Sequence, residues 1–402
     1  MNVNNALSNS NANIGGRLSV CCLLCVFAGA FRDRVKGQWL ESHRLFGRGD
    51  PKTGLLQAEV VMRRIGNMAA VTASDANVEL AVKEALKRRG KRNELRRRAE
   101  EFLKHKDASV AEVKQILLTG NWTIEGYRTF TRREHGKVRK IDWNPSFRDN
   151  VIQHALHQTV GERLTRTFIP DTYSGVKGRG PSYGMRRVKR FLREYPLDSP
   201  LFILKLDVRQ FYPSIQVSVM KSMLEDRIKD KVTLKLLFSL LDSHPDGLPI
   251  GNYLSQLLAN VYLSDIDHHM TEKFGVRHYM RYCDDIVMMS DDKWQLKAAL
   301  EEMKVRLAEI GLSVKDSAQI YPLGKRGLDF MGYVFRRNGV TLRKRIERGL
   351  RRAGRRFNSV PALPSYRPLT AYWGWALPLT RGGLLWDAAV GQSIADCYRR
   401  VS

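Results

Sequence analysis

The sequence predicts an α+β fold in which an antiparallel sheet packs on helices, spread over two or three lobes. Three observations point there. Residues 202–207 (FILKLD) form an apolar-rich strand ending on a carboxylate, and residues 279–289 (YMRYCDDIVMM) place two apolar runs on either side of an acid pair, the pattern of strand, tight turn and strand. Apolar residues recur at helical spacing elsewhere: Val151, Ile152, Ala155, Leu156, Val160 and Leu164 within 147–167, and Leu342, Ile346 and Leu350 within 342–357. At 402 residues the chain can bury a full core and exceeds a usual single domain.

Lys plus Arg number 68 against 41 Asp plus Glu, a net charge of +27. That surplus calls for an acidic partner at close quarters. Nucleic acid is the first candidate, with a solvated basic surface or attraction to anionic lipid as the alternatives on composition alone. Cys21, Cys22, Cys25, Cys283 and Cys397 lack the even spacing of a disulfide framework, which fits a reducing, cytoplasmic setting. Cys22 and Cys25 form a lone C-x-x-C without a second pair or a nearby His and are read as incidental. Residues 18–30 (LSVCCLLCVFAGA) end like a signal-peptide cleavage site but are too short to span a bilayer. Residues 1–61 are therefore read as a poorly ordered or non-native extension preceding a working start at Met62, and no membrane partner is expected.

After Met62 the pattern SDANVELAVKEALKRRGKRNELRRRAEEFLKH, opened by Ser74, reads as a basic helical arm with Val78, Leu80, Ala81 and Ala85 as its apolar stripe. Residues 127–141 alternate around a turn at His135–Gly136, a hairpin with a basic rim. Asp291–Asp292 reads as a helix-start cap rather than a second acidic site.

Asp207 closes an apolar strand, while Asp284 and Asp285 sit at a hairpin tip that would project them into a cleft. Phosphoryl transfer by two metal ions about 4 Å apart needs several carboxylates converging on Mg²⁺. These three acids supply that set. A lone acid pair is weak evidence, so order matters: the strand to Asp207, then residues 247–256 (GLPIGNYLSQ), then Tyr282-Cys283-Asp284-Asp285, then Leu312-Ser313-Val314-Lys315, then residues 328–333 (LDFMGY).

Together these five segments resemble the palm motifs of reverse transcriptases. The resemblance implies a right-hand polymerase, with fingers over 62–200, a palm over 201–340 and a helical thumb over 341–402. It implies an RNA-directed DNA polymerase using two Mg²⁺ ions, replaceable by Mn²⁺, held at Asp207, Val208, Asp284 and Asp285. Tyr212, five positions after Asp207, falls where the family keeps an aromatic gate against a ribose 2′-hydroxyl; a core aromatic is the alternative. Phe211, Ile250, Gly251 and Gln256 would line the nucleotide and template pocket, and most relatives carry Gln where Ile250 stands, so low fidelity is expected. Lys315 would protonate departing pyrophosphate or offset its charge, unless it is a surface lysine. Phe330, Met331, Gly332 and Tyr333 resemble the primer grip. Lys137, Arg139 and Arg179 would meet the triphosphate or the template backbone, Arg179 from a flexible loop.

Past the palm, the arginine-rich 342–357 helix would ride on duplex, and residues 366–375 (YRPLTAYWGW) read as buried aromatics. No room is expected for an appended ribonuclease H or endonuclease. The start at Met62, the Ile-Gly-Asn-x-x-Ser-Gln loop and the ending are most similar to reverse transcriptases of diversity-generating retroelements. That likeness implies error-prone copying of a template-repeat RNA into cDNA from dNTPs, with a small basic accessory protein and its structured RNA as partners. Retron, group II intron and phage-defence enzymes, and a non-catalytic RNA-binding scaffold, are the competing readings; retention of all three acids argues against the scaffold.

Overall fold

The computed structural model describes residues 64–88, 93–134, 137–359 and 363–380. The expected extension, the signal-like stretch, Cys21, Cys22, Cys25, Cys397 and the hairpin turn at 135–136 lie outside them.

After a short helical turn at Ala69–Thr72 come three longer helices: α1 (Asp75–Arg88), α2 (Asn93–Lys104) and α3 (Lys106–Thr119). They are no free arm. Val78, Ala81, Val82 and Ala85 of α1, Ala99 and Phe102 of α2, and Val113 and Leu117 of α3 are all buried in the larger of two cores. The expected stripe is corrected at one position: Leu80 is 46% exposed and Val82 is buried in its place. At 100° per residue, 78, 81, 82 and 85 share a face that residue 80 cannot join. The hairpin follows as β1 (Arg128–Glu134) and β2 (Lys137–Trp143), antiparallel from Arg128 opposite Trp143. The expected buried helix is α4 (Phe147–Leu156), capped by Ser146 Oγ accepting from Asp149 N at 3.2 Å, and it runs on through a π-helical turn at His157–Gly161 to Thr165.

The central sheet has five strands, β3 (Thr172–Tyr173), β4 (Phe202–Asp207), β5 (His278–Tyr282), β6 (Asp285–Ser290) and β7 (Gln319–Pro322), in the order β3-β5-β6-β4-β7. Every neighbouring pair is antiparallel except β3 with β5. Helices interrupt the strands along the chain: α5 (Pro181–Arg193), α6 (Val217–Arg227), α7 (Lys231–Asp242), α8 (Ser255–His268) and α9 (Lys293–Glu309). Side chains alternate across the sheet. Leu204, Leu206, Ile286 and Met288 enter the larger core with α6 to α9, while Ile203, Val287 and Met289 enter the second core with Met185, Val188 and Phe191 of α5. Because the strand period is two, Lys205, Asp207 and Asp285 belong to the face of Ile203 and Val287. The acids therefore emerge on the second-core side.

That side also carries a separate three-stranded sheet, β8 (Leu328–Phe330), β9 (Tyr333–Arg336) and β10 (Gly339–Leu342), followed by α10 (Lys344–Ser359) and α11 (Leu363–Thr380). The stripe expected on α10 shifts by one place. Leu342 ends a strand, so the helix buries Ile346, Leu350 and Ala353, against Leu369, Trp375 and Ala376 of α11. Asp292 caps α9 as expected, accepting from Trp294 N at 2.7 Å.

A second cap ties the first helical layer to the rest. Asp230 Oδ1 accepts from Thr233 N at 3.0 Å at the start of α7, and Oδ2 accepts from Met68 N at 2.7 Å and Ala69 N at 3.3 Å. Burial pushes this carboxyl up, but the backbone donors outweigh it and hold its pKa below the ordinary value. Asp230→Ala is expected to cost about 2–3 kcal/mol in a urea melt, the sum of a lost cap and two charge-assisted bonds. The lowered pKa sets the sign with pH: the contribution is full above the unfolded carboxyl pKa and is lost as pH falls through the lower folded one, so the variant's acid limb is shallower.

Candidate active site

Asp207 ends β4 and stands directly opposite Asp285, the first residue of β6. Cys283 and Asp284 form the two-residue turn between β5 and β6, with Tyr282 opposite Asp285. Cys283 takes φ +55°, a left-handed conformation of the kind a two-residue hairpin turn demands. Val208 N donates to Asp284 O at 3.3 Å and locks the turn to the end of β4. The Val208 side chain is fully buried in the larger core, so only its backbone faces the acids.

Like charges directly opposite one another weaken a strand pair, so this arrangement needs cations. Two lysines supply them. A bridge between Val208 and Val314 brings Lys315 alongside, its N–H donating to Asp207 O at 2.8 Å and its ammonium pairing with Asp207 Oδ1. Lys205 Nζ lies 3.4 Å from Asp285 Oδ2. Among the described residues no three metal-ligating side chains stand close enough to form a metal centre as arranged. The donor chemistry nonetheless suits Mg²⁺: carboxylate oxygens are hard ligands, and here they come from the adjacent ends of β4 and β6 and from the turn that leads into β6.

Directly behind the turn lies a buried ion pair. Arg281 and Asp267 are both fully inaccessible; Arg281 Nε donates to Asp267 Oδ1 at 2.8 Å and Nη2 to Oδ2 at 2.6 Å. Tyr279 Oη donates to Asp267 Oδ1 at 2.6 Å and Thr172 Oγ1 to Oδ2 at 3.2 Å. Arg281 Nη1 then reaches Asn260 Oδ1 at 2.9 Å and Cys283 O at 3.0 Å. Burial works against the guanidinium's charge, but Asp267 outweighs it and holds the pKa above its ordinary value. The acid-bearing turn thus hangs from a desolvated charge pair anchored in α8.

Gln256 joins the same support. Its Nε2 donates to Ser174 Oγ and lies 3.6 Å from Cys283 Sγ, while Asn260 Nδ2 donates to Ser174 O at 2.9 Å. Ser174, at the head of the loop, is thus held to α8, and Arg179 Nη1 donates to Ile169 O at 2.7 Å. On the far side, Gly247 (φ +51°) packs against Tyr212 O, and Leu248 N donates to that oxygen at 3.0 Å. A Cβ at Gly251 (φ +141°) would sit 2.7 Å from Asp142 O, so the loop bearing Ile250 lies against the base of the hairpin. Asn252 Nδ2 to Tyr127 Oη, at 2.9 Å, and His244 Nε2 beside Asp142 Oδ2, at 3.3 Å, add to that clasp.

Burial, then the neighbouring Cys283 and Asp284, push the Tyr212 hydroxyl well above its ordinary pKa. Phe211 is buried in the larger core, its ring 5.5 Å from that of Tyr212. Arg139 stands on β2 opposite Arg132, and Lys137 opposite Glu134 at the hairpin's distal end. Phe330, Met331 and Tyr333 are buried, the turn at Met331–Gly332 lies under Ile346 and Trp375, and Tyr333 Oη donates to Trp375 O at 3.1 Å.

Sequence reasoning missed Arg281, Asp267, Asn260, Ser174 and Lys205. A signal existed for the first: an arginine inside an otherwise apolar strand needs a buried carboxylate. Nothing in the spacing of Asp267 marks it as that partner.

No curated protein matches the sequence. Among solved structures, apo telomerase from Candida tropicalis, truncated from its C-terminal domain, is similar at 12% identity and TM-score 0.43, over 55% of each chain. Telomerase from Candida tropicalis in complex with a fragment of telomeric RNA is similar at 12% identity and TM-score 0.44, over 70% of this chain and 55% of that one. The chain thus spans about half the length of these structures. Residues 153–335 match the family "Reverse transcriptase (RNA-dependent DNA polymerase)". That span takes in α8, Arg281, the three aspartates and Lys315, so the segment that builds the acid cluster is the one that matches the reverse transcriptase family.

Proposed function

We propose that the chain copies an RNA template into cDNA, extending a primer 3′ end with dNTPs. The observation that carries this reading is the register of Asp207 against Asp285, with Asp284 at the adjoining turn, inside the reverse transcriptase domain. Asp207, Asp284 and Asp285, beside the Val208 backbone, would hold two Mg²⁺ ions, which supply charge neutralisation at the attacking and leaving oxygens. Lys315, already beside Asp207, offsets charge on departing pyrophosphate. Tyr212 presents its ring as the barrier to a 2′-hydroxyl, held by the Gly247–Leu248 loop. Exposed Arg345, Arg348, Arg352 and Arg355 recur every three or four residues along α10 and suit a duplex backbone. The full chain with a primed RNA, Mg²⁺ and dNTPs should make cDNA; no product, or product undiminished in Asp284→Ala, refutes the reading.

The finer assignment is a diversity-generating retroelement, acting in the cytoplasm on a template-repeat RNA with a small basic accessory protein. It rests on the likeness of residues 250–256 and of the start at Met62. Among the described residues no helix is long and apolar enough to cross a membrane. A neighbouring repeat pair differing at adenines would support it; a structured non-coding RNA gene with a fused effector would refute it. Ile250→Gln should restore a polar contact worth about tenfold, lowering misincorporation by that factor when cDNA is sequenced.

A further inference from the structure

Lys205 touches two elements that no backbone ladder joins. It lies on β4 two residues before Asp207, so it shares the sheet face from which Asp207 and Asp285 emerge. Its Nζ donates to Asp329 O, in the middle of β8, at 2.5 Å, and stands 3.4 Å from Asp285 Oδ2. The five-stranded and three-stranded sheets share no strand pairing, so their spacing depends on core packing and on such side-chain ties. Asp329 continues the run: its Oδ1 accepts from Arg343 Nε at 2.7 Å, and Arg343 N donates to Gly332 O at 2.9 Å. Arg343 immediately precedes α10, whose exposed arginines form the basic face described above.

We propose that Lys205 is a positioning residue that orients the Asp285 carboxylate and gears it, through Asp329 and Arg343, to the arginine helix. A lysine serving only as a solvated surface charge would not be held by a carbonyl and a carboxylate from separate sheets. Its three donors and flexible stem allow both contacts at once. Closing of α10 on a phosphate backbone then moves β8 and, with it, the ammonium that sets Asp285. Engagement of duplex is thereby transmitted to the acids without Lys205 touching nucleic acid.

This inference rests on the polymerase reading, and one set of measurements separates the two. The full chain and its Lys205→Met and Lys205→Arg variants are compared in primer extension, in duplex binding by anisotropy without metal, in thermal melting, and in hydrogen exchange over residues 328–342. Failure of the wild type to extend refutes the polymerase reading itself. With an active wild type, Lys205→Met should lose about tenfold in kcat, the effect of one charge-assisted bond. Its duplex Kd should stay within twofold and its melting temperature near wild type, while exchange across β8–β10 quickens. Lys205→Arg should recover much of the rate. Wild-type kcat in the Met variant, a Kd that rises in step with lost rate, or unchanged exchange overturns the proposal.

Discussion

Asp285→Asn and Asp207→Asn are each expected to slow primer extension on the order of 10³-fold, the loss of several kcal/mol of transition-state charge stabilisation. The fold should survive. Asp207 and Asp285 face each other across one strand pair, an arrangement that opposes pairing, so neutralising one relieves repulsion worth a fraction of a kcal/mol. The partner lysine, Lys315 or Lys205, is partly exposed and can turn to water. Melting temperature in the absence of divalent ions should therefore stay level or rise while single-turnover extension collapses. A parallel fall in both would mean that the acids serve the fold rather than the chemistry.

Arg281→Met should be the most destabilising single change near the site, about 3–5 kcal/mol in denaturant, because it strands the Asp267 charge in a fully dry interior. Asp267 would keep only Tyr279 and Thr172 as donors. Removing both charges, as Arg281→Met with Asp267→Leu, should recover most of that loss, since apolar replacements of a buried pair are often neutral or better. Activity should not return with stability. Cys283 O still lacks its donor at 3.0 Å, and the turn that carries Asp284 keeps its tie to Val208 but loses the one through Arg281 to α8. A double variant that refolds to wild-type stability and extends primer at the wild-type rate would show that the ion pair acts on folding alone.

Much of the frame was legible because strand and turn chemistry is local. FILKLD ends at Asp207 as read, the acid pair lies at a two-residue turn, and Asp292 is a cap. The helix stripes were less secure: Leu80 and Leu342 were apolar in sequence but fell on a solvent face and on a strand. Phe211 is the opposite case, a large apolar residue next to the site whose burial was decided by the core beneath it. What stayed illegible were the pairings across long separations. Lys315 meets Asp207 over 108 residues, Lys205 meets Asp329 over 124, and Ser174 meets Gln256 over 82. No local periodicity encodes such contacts; they follow from sheet order.

The alternation along β4 also decides which genetic changes the chain can absorb. Substitutions between 202 and 207 alter one side chain each, but losing or gaining a single codon there would exchange the two faces of everything beyond it. Leu206 would be turned toward the second-core side and Asp207 into the hydrocarbon of the larger core. Insertions belong instead beyond the strand's N-terminal end, at the exposed segment near Leu197. In this stretch a change of length is expected to cost more than a change of any one residue.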